Sequence, residues 1–130
     1  MSSQVDLFIR DHPELGTSLE AALGAGTMYH DEHGSCMRAV GPLTAIAPTG
    51  WMDRLVLLDA GDGVFAHCMR PVDLVLAKLV VGRGKDVEFA VAALELQLVD
   101  IDALLDIFDT LPVPVAERDR VKRSLAQLGG

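Results

Sequence analysis

The spacing of the apolar residues changes near Arg70, and this change limits the folds that are open to the chain. Before Arg70, short apolar stretches are separated by glycine and proline, whereas afterwards apolar residues recur at helical spacing. Strands followed by helices are typical of an α+β domain, in which a sheet packs against helices. We therefore predict one domain over residues 1–130, with residues 1–69 mainly strands with one helix and residues 70–130 helical.

The N-terminal part has four segments with the composition of β-strands. They are VDLFIR at 5–10, MRAVGPLTAIAP at 37–48, DRLVLLD at 53–59 and VFAHCM at 64–69. The turn AGDG separates the last two and predicts an antiparallel hairpin. Between the first two, SLEAALGAG predicts a short helix capped by Thr17 or Ser18, and TMYHDEHGSC predicts an irregular loop.

Four helices are expected in the C-terminal part. Pro71 suits the start of the first, which runs through Val81 until Gly82 and Gly84 interrupt it. The other three are expected at 85–98, 100–111 and 115–128.

The bulk composition restricts the class of protein. Half of the residues are hydrophobic, but no apolar run reaches the roughly 18 to 20 residues of a membrane span, and no signal segment begins the chain. We therefore expect a cytoplasmic protein that does not enter a membrane. The formal net charge of −8 disfavours broad binding to nucleic acids. Cys36 and Cys68 match no metal or redox motif and are expected to be free thiols.

A group of charges interrupts the first C-terminal helix and its junction with the second. Lys78 lies among apolar residues, so its ammonium group has to reach solvent or an anion. Arg83 and Lys85 flank a glycine at the helix junction, and Asp86 lies in the first turn of the next helix. Cations beside a helix N-terminus suit a phosphate group. The alternative is a lysine that extends to solvent and a solvated turn between two helices.

The same region resembles an uncharacterised nucleotidyltransferase-like family and, more distantly, the AbiEii-type nucleotidyltransferases of toxin–antitoxin systems. The family pattern consists of a Pro-x-Gly-Trp-x-x-Arg-Leu turn, an Asp-Leu-x-x-x-Lys helix and a Gly-Arg-x-Lys-Asp-x-x-Phe segment. In this chain the matching residues are Pro48, Gly50, Trp51, Arg54, Leu55, Asp73, Leu74, Lys78, Gly82, Arg83, Lys85, Asp86 and Phe89.

The resemblance assigns roles to individual residues. In nucleotidyltransferases, strand carboxylates hold Mg²⁺, which bridges the phosphates of a nucleoside triphosphate. Asp6 matches the second carboxylate position, as a catalytic residue and Mg²⁺ ligand. Lys78 and Asp86 match catalytic positions, while Lys78, Arg83 and Lys85 would bind the phosphates.

Part of the family pattern is expected to be missing. The chain begins close to Asp6, so we expect no counterpart of the first strand and its Gly-Ser triphosphate turn, as in a shortened gene product or a sequence whose start codon is placed too far downstream. Gln4 stands where the first carboxylate of a pair would be, and a neutral amide is a poor ligand for Mg²⁺. The implied fold is a nucleotidyltransferase-like mixed sheet of about four strands packed against the C-terminal helices, with the first strand missing.

Three functional hypotheses follow. The first is a degenerate nucleotidyltransferase-like domain that acts as a binding or regulatory module, with a homodimer partner or another protein covering the exposed edge of the Asp6 strand. The alternative is an active Mg²⁺-dependent enzyme that moves a nucleotidyl group from an NTP to RNA, protein or a small molecule, in a toxin–antitoxin system. The third is a purely structural α+β domain.

Other polar clusters point less clearly to chemistry. His30 and His33 have metal-like spacing but no third ligand at a recognisable distance. His67 and Cys68 are adjacent in a predicted strand, so their side chains point to opposite faces and form no dyad. Trp51 follows a turn and is expected to be a packing anchor.

Overall fold

The computed structural model describes residues 3–7, 9, 12, 14–40 and 46–129, and the chain divides into two compact units, residues 1–45 and residues 46–130. The described elements confirm the α+β class. In chain order they are β1 (Ser3–Leu7), α1 (Leu15–Leu23), α2 (Met28–His33), β2 (Ser35–Ala39), a 3-10 helix (Trp51–Arg54), β3 (Val56–Gly61), β4 (Val64–Cys68), α3 (Pro71–Val81), α4 (Gly84–Glu95), α5 (Ile101–Phe108) and α6 (Val115–Gly129).

In the first unit, two parallel strands are joined through two helices. β1 pairs with β2 in a register that places Asp6 opposite Arg38. Parallel strands need a crossover connection, and α1 and α2 supply it. Helix α1 begins at Leu15, before the predicted caps at Thr17 and Ser18. A homodimer partner or another protein at the edge of β1 that faces away from β2 stays a prediction.

The predicted loop at 27–36 contains a helix. Helix α2 begins after Thr27, whose hydroxyl oxygen accepts a hydrogen bond from the His30 N–H at 3.2 Å. It ends at Gly34, which adopts the left-handed conformation with φ of 71°. A threonine cap and a glycine stop therefore define this short polar helix. Periodicity could not predict it, because it has no apolar stripe. The rest of the predicted strand at 37–48 lies partly in residues 41–45, outside the described residues.

In the second unit, the predicted antiparallel hairpin is confirmed. β3 pairs with β4, and Asp62 and Gly63 form the two-residue turn with φ of 55° and 76°. Positive φ at both turn positions matches the twist of the two strands. Five large apolar side chains of the hairpin are about half exposed, namely Val56, Leu57, Leu58, Val64 and Phe65.

The core of the second unit is formed by its four helices. Pro71 occupies the first turn of α3, and the helix ends at Gly82 as predicted. Helix α4 begins one residue before the predicted start, and α5 begins after Asp100, whose carboxylate accepts from the Ala103 N–H at 2.7 Å. The largest fully buried apolar side chains of this core are Val75, Leu76, Leu79, Leu104, Leu111, Val121 and Leu125.

The described strands form two sheets of two strands each, not the predicted single sheet of about four. β1 and β2 are connected by a helical crossover, and β3 and β4 are connected by a tight turn. The number of strands and the pairing within the hairpin were therefore predictable, but the parallel pairing of β1 with β2 was not. Across the described part of the chain, no helix combines the length and apolar character that crossing a membrane requires.

Candidate functional site

The candidate site lies at the junction of α3 and α4, in the second unit. Gly82 ends α3 in the left-handed conformation with φ of 75°, and its N–H donates to the Lys78 carbonyl at 2.9 Å. The guanidinium of Arg120, from α6, donates to the carbonyls of Leu79 and Val80. A cation at a helix C-terminus satisfies carbonyls that have no partner within the helix. Hydrogen bonds from Arg120 therefore hold the junction at the end of α3, in addition to the contacts at the start of α4.

Asp86 is buried against Arg83 at the start of α4. The carboxylate has 1 % of its surface exposed and accepts three hydrogen bonds, from the Arg83 backbone N–H at 3.1 Å and from its Nε and Nη2 at 2.8 and 3.3 Å. These hydrogen bonds from Arg83 lower the pKa of Asp86 below its ordinary value, against the opposing effect of burial. Asp86 is thus an ionised carboxylate that stabilises the helix start.

Lys78 and Lys85 lie on either side of this ion pair in sequence and differ in exposure. Lys78 is partly buried, and its Nζ lies 4.8 Å from the centroid of the Phe89 ring. This distance allows a cation–π interaction. The positive charge of Lys78 also contributes to the lowered pKa of Asp86, so the two groups are electrostatically close. Lys85 is exposed to solvent.

A second buried carboxylate lies at the other end of α3. Asp73 is fully buried and accepts from Arg54 Nη2 at 2.6 Å and from Arg54 Nε at 3.2 Å. The hydrogen bond to Asp73 raises the pKa of Arg54 above its ordinary value. Arg54 also donates to the carbonyls of Pro48 and Thr49, at 3.4 and 3.1 Å. This arginine therefore attaches the turn that precedes the hairpin to the first turn of α3.

Six of the family-pattern residues thus form three pairs within the second unit. They are Arg54 with Asp73, Lys78 with Phe89, and Arg83 with Asp86. The sequence identified Asp73 and Arg54 only as residues of the family pattern and did not pair them. The available signal was an aspartate among apolar residues, because a buried charge needs an opposite charge nearby.

Asp6, the predicted metal ligand, lies in the first unit. Its carboxylate accepts from Arg38 Nε and Nη2 at 3.1 and 2.8 Å and from Gln4 Nε2 at 3.0 Å. A guanidinium already binds both oxygens, so Mg²⁺ would have to share or displace this partner, and the role of Asp6 as a metal ligand stays a prediction. Gln4 acts here as a hydrogen-bond donor to Asp6.

The histidines of α2 have local contacts. His30 Nδ1 accepts from the Gly26 N–H at 3.1 Å, and the His33 ring lies 4.4 Å from the Tyr29 ring. Within the described ranges, no three His, Cys, Asp or Glu side chains are arranged to hold a metal ion. Among the same residues, Cys36 is a buried free thiol and Cys68 an exposed one.

The comparisons with known proteins place the chain in a family. A family model described as a nucleotidyltransferase of unknown function (DUF6036) matches residues 18–127. The match spans most of the 130 residues, and the chain belongs to this family. Neither the curated proteins nor the solved structures include a match. The resemblance to a nucleotidyltransferase-like family is confirmed. The matched range contains the four predicted site residues of the α3–α4 junction, namely Lys78, Arg83, Lys85 and Asp86, whereas Asp6 lies outside it.

Proposed function

We propose that this nucleotidyltransferase-like domain binds the phosphates of a nucleotide at the α3–α4 junction and acts as a binding or regulatory module. Lys78, Arg83 and Lys85 are the phosphate-binding residues in this proposal. Asp86 has a supporting role, because it holds Arg83 in place from within the fold.

One observation carries the proposal, namely that the carboxylate of Asp86 is buried while the cations around it reach the surface. Asp86 is 1 % exposed, whereas the Arg83 side chain is 56 % exposed. Residues 78–89 contain three cations and two carboxylates, Asp86 and Glu88, which leaves one net positive charge at the junction of a chain whose net charge is −8. Phosphate oxygens accept charge-assisted hydrogen bonds from such groups.

Lys78 would act as a movable contact. Its ammonium group rests over the Phe89 ring, and a cation–π interaction at a partly exposed site is worth only about 0.5–1 kcal/mol. A charge-assisted hydrogen bond to phosphate, worth about 1.5–3 kcal/mol, would be stronger. The lysine can therefore exchange the ring for a ligand at small cost.

The test is calorimetric titration of the purified chain with ATP and with inorganic triphosphate, each with and without Mg²⁺. Lys78→Ala and Lys85→Ala should each weaken binding about tenfold, as expected for the loss of one charge-assisted hydrogen bond. Lys122→Ala, which removes an exposed lysine from α6, is the matched control and should bind like the wild type. Absence of binding by the wild type, or equal affinities in all four proteins, would refute the proposal.

The second candidate is an active nucleotidyltransferase, and the family description favours it. Transfer of label from an α-labelled NTP to RNA, protein or a small molecule would reveal this activity. Asp6→Asn separates the two candidates. Under the binding proposal this variant keeps wild-type affinity for triphosphate, whereas a Mg²⁺-dependent transferase that uses Asp6 would lose label transfer.

A further inference from the structure

We infer that the groove between α4 and α5 binds a cationic amphipathic segment of a partner protein. The α4–α5 groove is open to solvent and has a volume of about 500 Å³. Gln97 and Asp100 add polar groups to an apolar wall that consists of Val72, Leu94, Leu98, Val99, Ile101 and Ala103. The inference is independent of the proposed phosphate site.

The turn between the two helices gives the groove a fixed shape. Gln97 adopts the left-handed conformation with φ of 60°, which is uncommon for a residue other than glycine. Its N–H donates to the Leu94 carbonyl at 3.1 Å, and the Leu98 N–H donates to the Ala93 carbonyl at 3.0 Å. This pair of hydrogen bonds is the Schellman arrangement that closes a helix. A groove built on such a turn is preformed, so binding requires little ordering.

Apolar side chains are exposed where the turn meets the groove. Leu98 is 60 % exposed although it lines the groove, and the neighbouring Leu96 is 70 % exposed. A leucine side chain gains about 1.5–3 kcal/mol when it is fully removed from water, so these positions favour an apolar partner surface. A helical segment with leucines on one face is the kind of partner that fits an open apolar groove.

The acidic residues in and beside the groove favour a partner with a cationic polar face. Between Val87 and Glu117 the sequence contains no Lys, Arg or His, but it contains seven carboxylates. They are Glu88, Glu95, Asp100, Asp102, Asp106, Asp109 and Glu117. Asp100 lines the groove itself, and Glu95 and Asp102 are exposed beside it in sequence. Complementary charge gives specificity and faster association, so the partner segment carries lysine or arginine.

The experiment uses the full chain and a fluorescein-labelled peptide of leucine and lysine, with the leucines at helical spacing, followed by fluorescence anisotropy. A peptide with glutamate in place of lysine is the charge control. The wild type should bind the lysine peptide and not the glutamate peptide. Equal binding of both peptides, or of neither, would overturn the inference.

Two test variants, each with its own control variant, locate the bound peptide. Leu98→Ser should weaken binding about tenfold, whereas Leu57→Ser, at a hairpin leucine of similar exposure, should leave it unchanged. The double variant Glu95→Gln/Asp102→Asn should weaken binding about threefold in low salt and not in high salt, while Asp119→Asn on α6 has no effect. Weakening by Leu57→Ser but not by Leu98→Ser would place the peptide on the hairpin and overturn the assignment.

Sedimentation of the wild type and Leu98→Ser without peptide tests a second copy as the occupant. Under the inference, both proteins sediment alike. A wild-type dimer that Leu98→Ser dissociates would show that the chain itself fills the groove, which would refute a separate cationic partner.

Discussion

Replacement of Asp86 by asparagine tests whether this residue stabilises the fold, as its contacts indicate. Asn has nearly the same shape as Asp, so the variant removes the charge and leaves the packing in place. The wild-type carboxylate accepts three hydrogen bonds from Arg83, at 2.8, 3.1 and 3.3 Å. The carbonyl oxygen of Asn can take the place of Oδ2 and still accept from the Arg83 backbone N–H and Nε. The amide NH₂ group then takes the place of Oδ1 and faces Nη2, which also only donates.

The expected loss of stability follows from these contacts. Hydrogen bonds that involve a charged group contribute about 1.5–3 kcal/mol. The hydrogen bond from Arg83 Nη2 is lost, and the other two keep an oxygen acceptor that is no longer ionised. Part of the loss is recovered, because the Arg83 side chain is 56 % exposed and can be hydrated by water instead. We therefore expect Asp86→Asn to lower the free energy of unfolding by about 1–2 kcal/mol at pH 7.

The difference between the two proteins should depend on pH with a defined sign. The hydrogen bonds from Arg83 lower the pKa of Asp86 in the folded state below its ordinary value of 3.8. The stabilisation is therefore complete at neutral pH and is lost as the pH falls through the lowered pKa of the folded state. Asn does not titrate, so the two free energies of unfolding should converge in acid.

Urea unfolding at pH 7, 5 and 3 measures this difference. Glu88→Gln is the matched control, since it removes an exposed carboxylate from the same helix and should change stability little. Equal stability of Asp86→Asn and wild type at pH 7 would refute the structural role of the carboxylate. So would a difference that stays the same size at pH 3.

Three further substitutions have defined outcomes. Arg54→Lys should lower stability by about 2 kcal/mol in urea unfolding, because lysine cannot replace the two-pronged contact with the buried Asp73. Gln97→Gly should raise the midpoint of thermal unfolding, with a gain of about 0.5–1 kcal/mol, because glycine adopts positive φ without strain; no gain would contradict the strain argument. Leu76→Ala should cost about 2–5 kcal/mol in urea unfolding, because the side chain is fully buried in the helical core.

Local patterns predicted much of the second unit. The hairpin follows from its two apolar strands and an Asp-Gly turn, and α3 follows from Pro71 at its start and Gly82 at its end. In each case the deciding residues are neighbours in the sequence. Propensity and turn chemistry act over such short distances, so they were sufficient.

Contacts between distant residues were not predictable. Arg54 and Asp73 are 19 positions apart, and nothing in the sequence pairs this arginine with that aspartate instead of another carboxylate. The same holds for Arg38 and Asp6, which meet only because β1 and β2 are parallel and in register. The junction residues were identified from the sequence, but the burial of Asp86 was not, because exposure depends on packing.

The contacts at the α3–α4 junction have a consequence for the order of folding. Gly82, the Arg83–Asp86 pair and the Lys78–Phe89 contact all lie within residues 78–89, whereas Arg120 reaches Leu79 and Val80 from 40 or more positions away. Closing a short loop costs less entropy than closing a long one, so the local contacts form first. We therefore expect the positive surface to form before α6 docks, and the contacts of Arg120 to stabilise it afterwards.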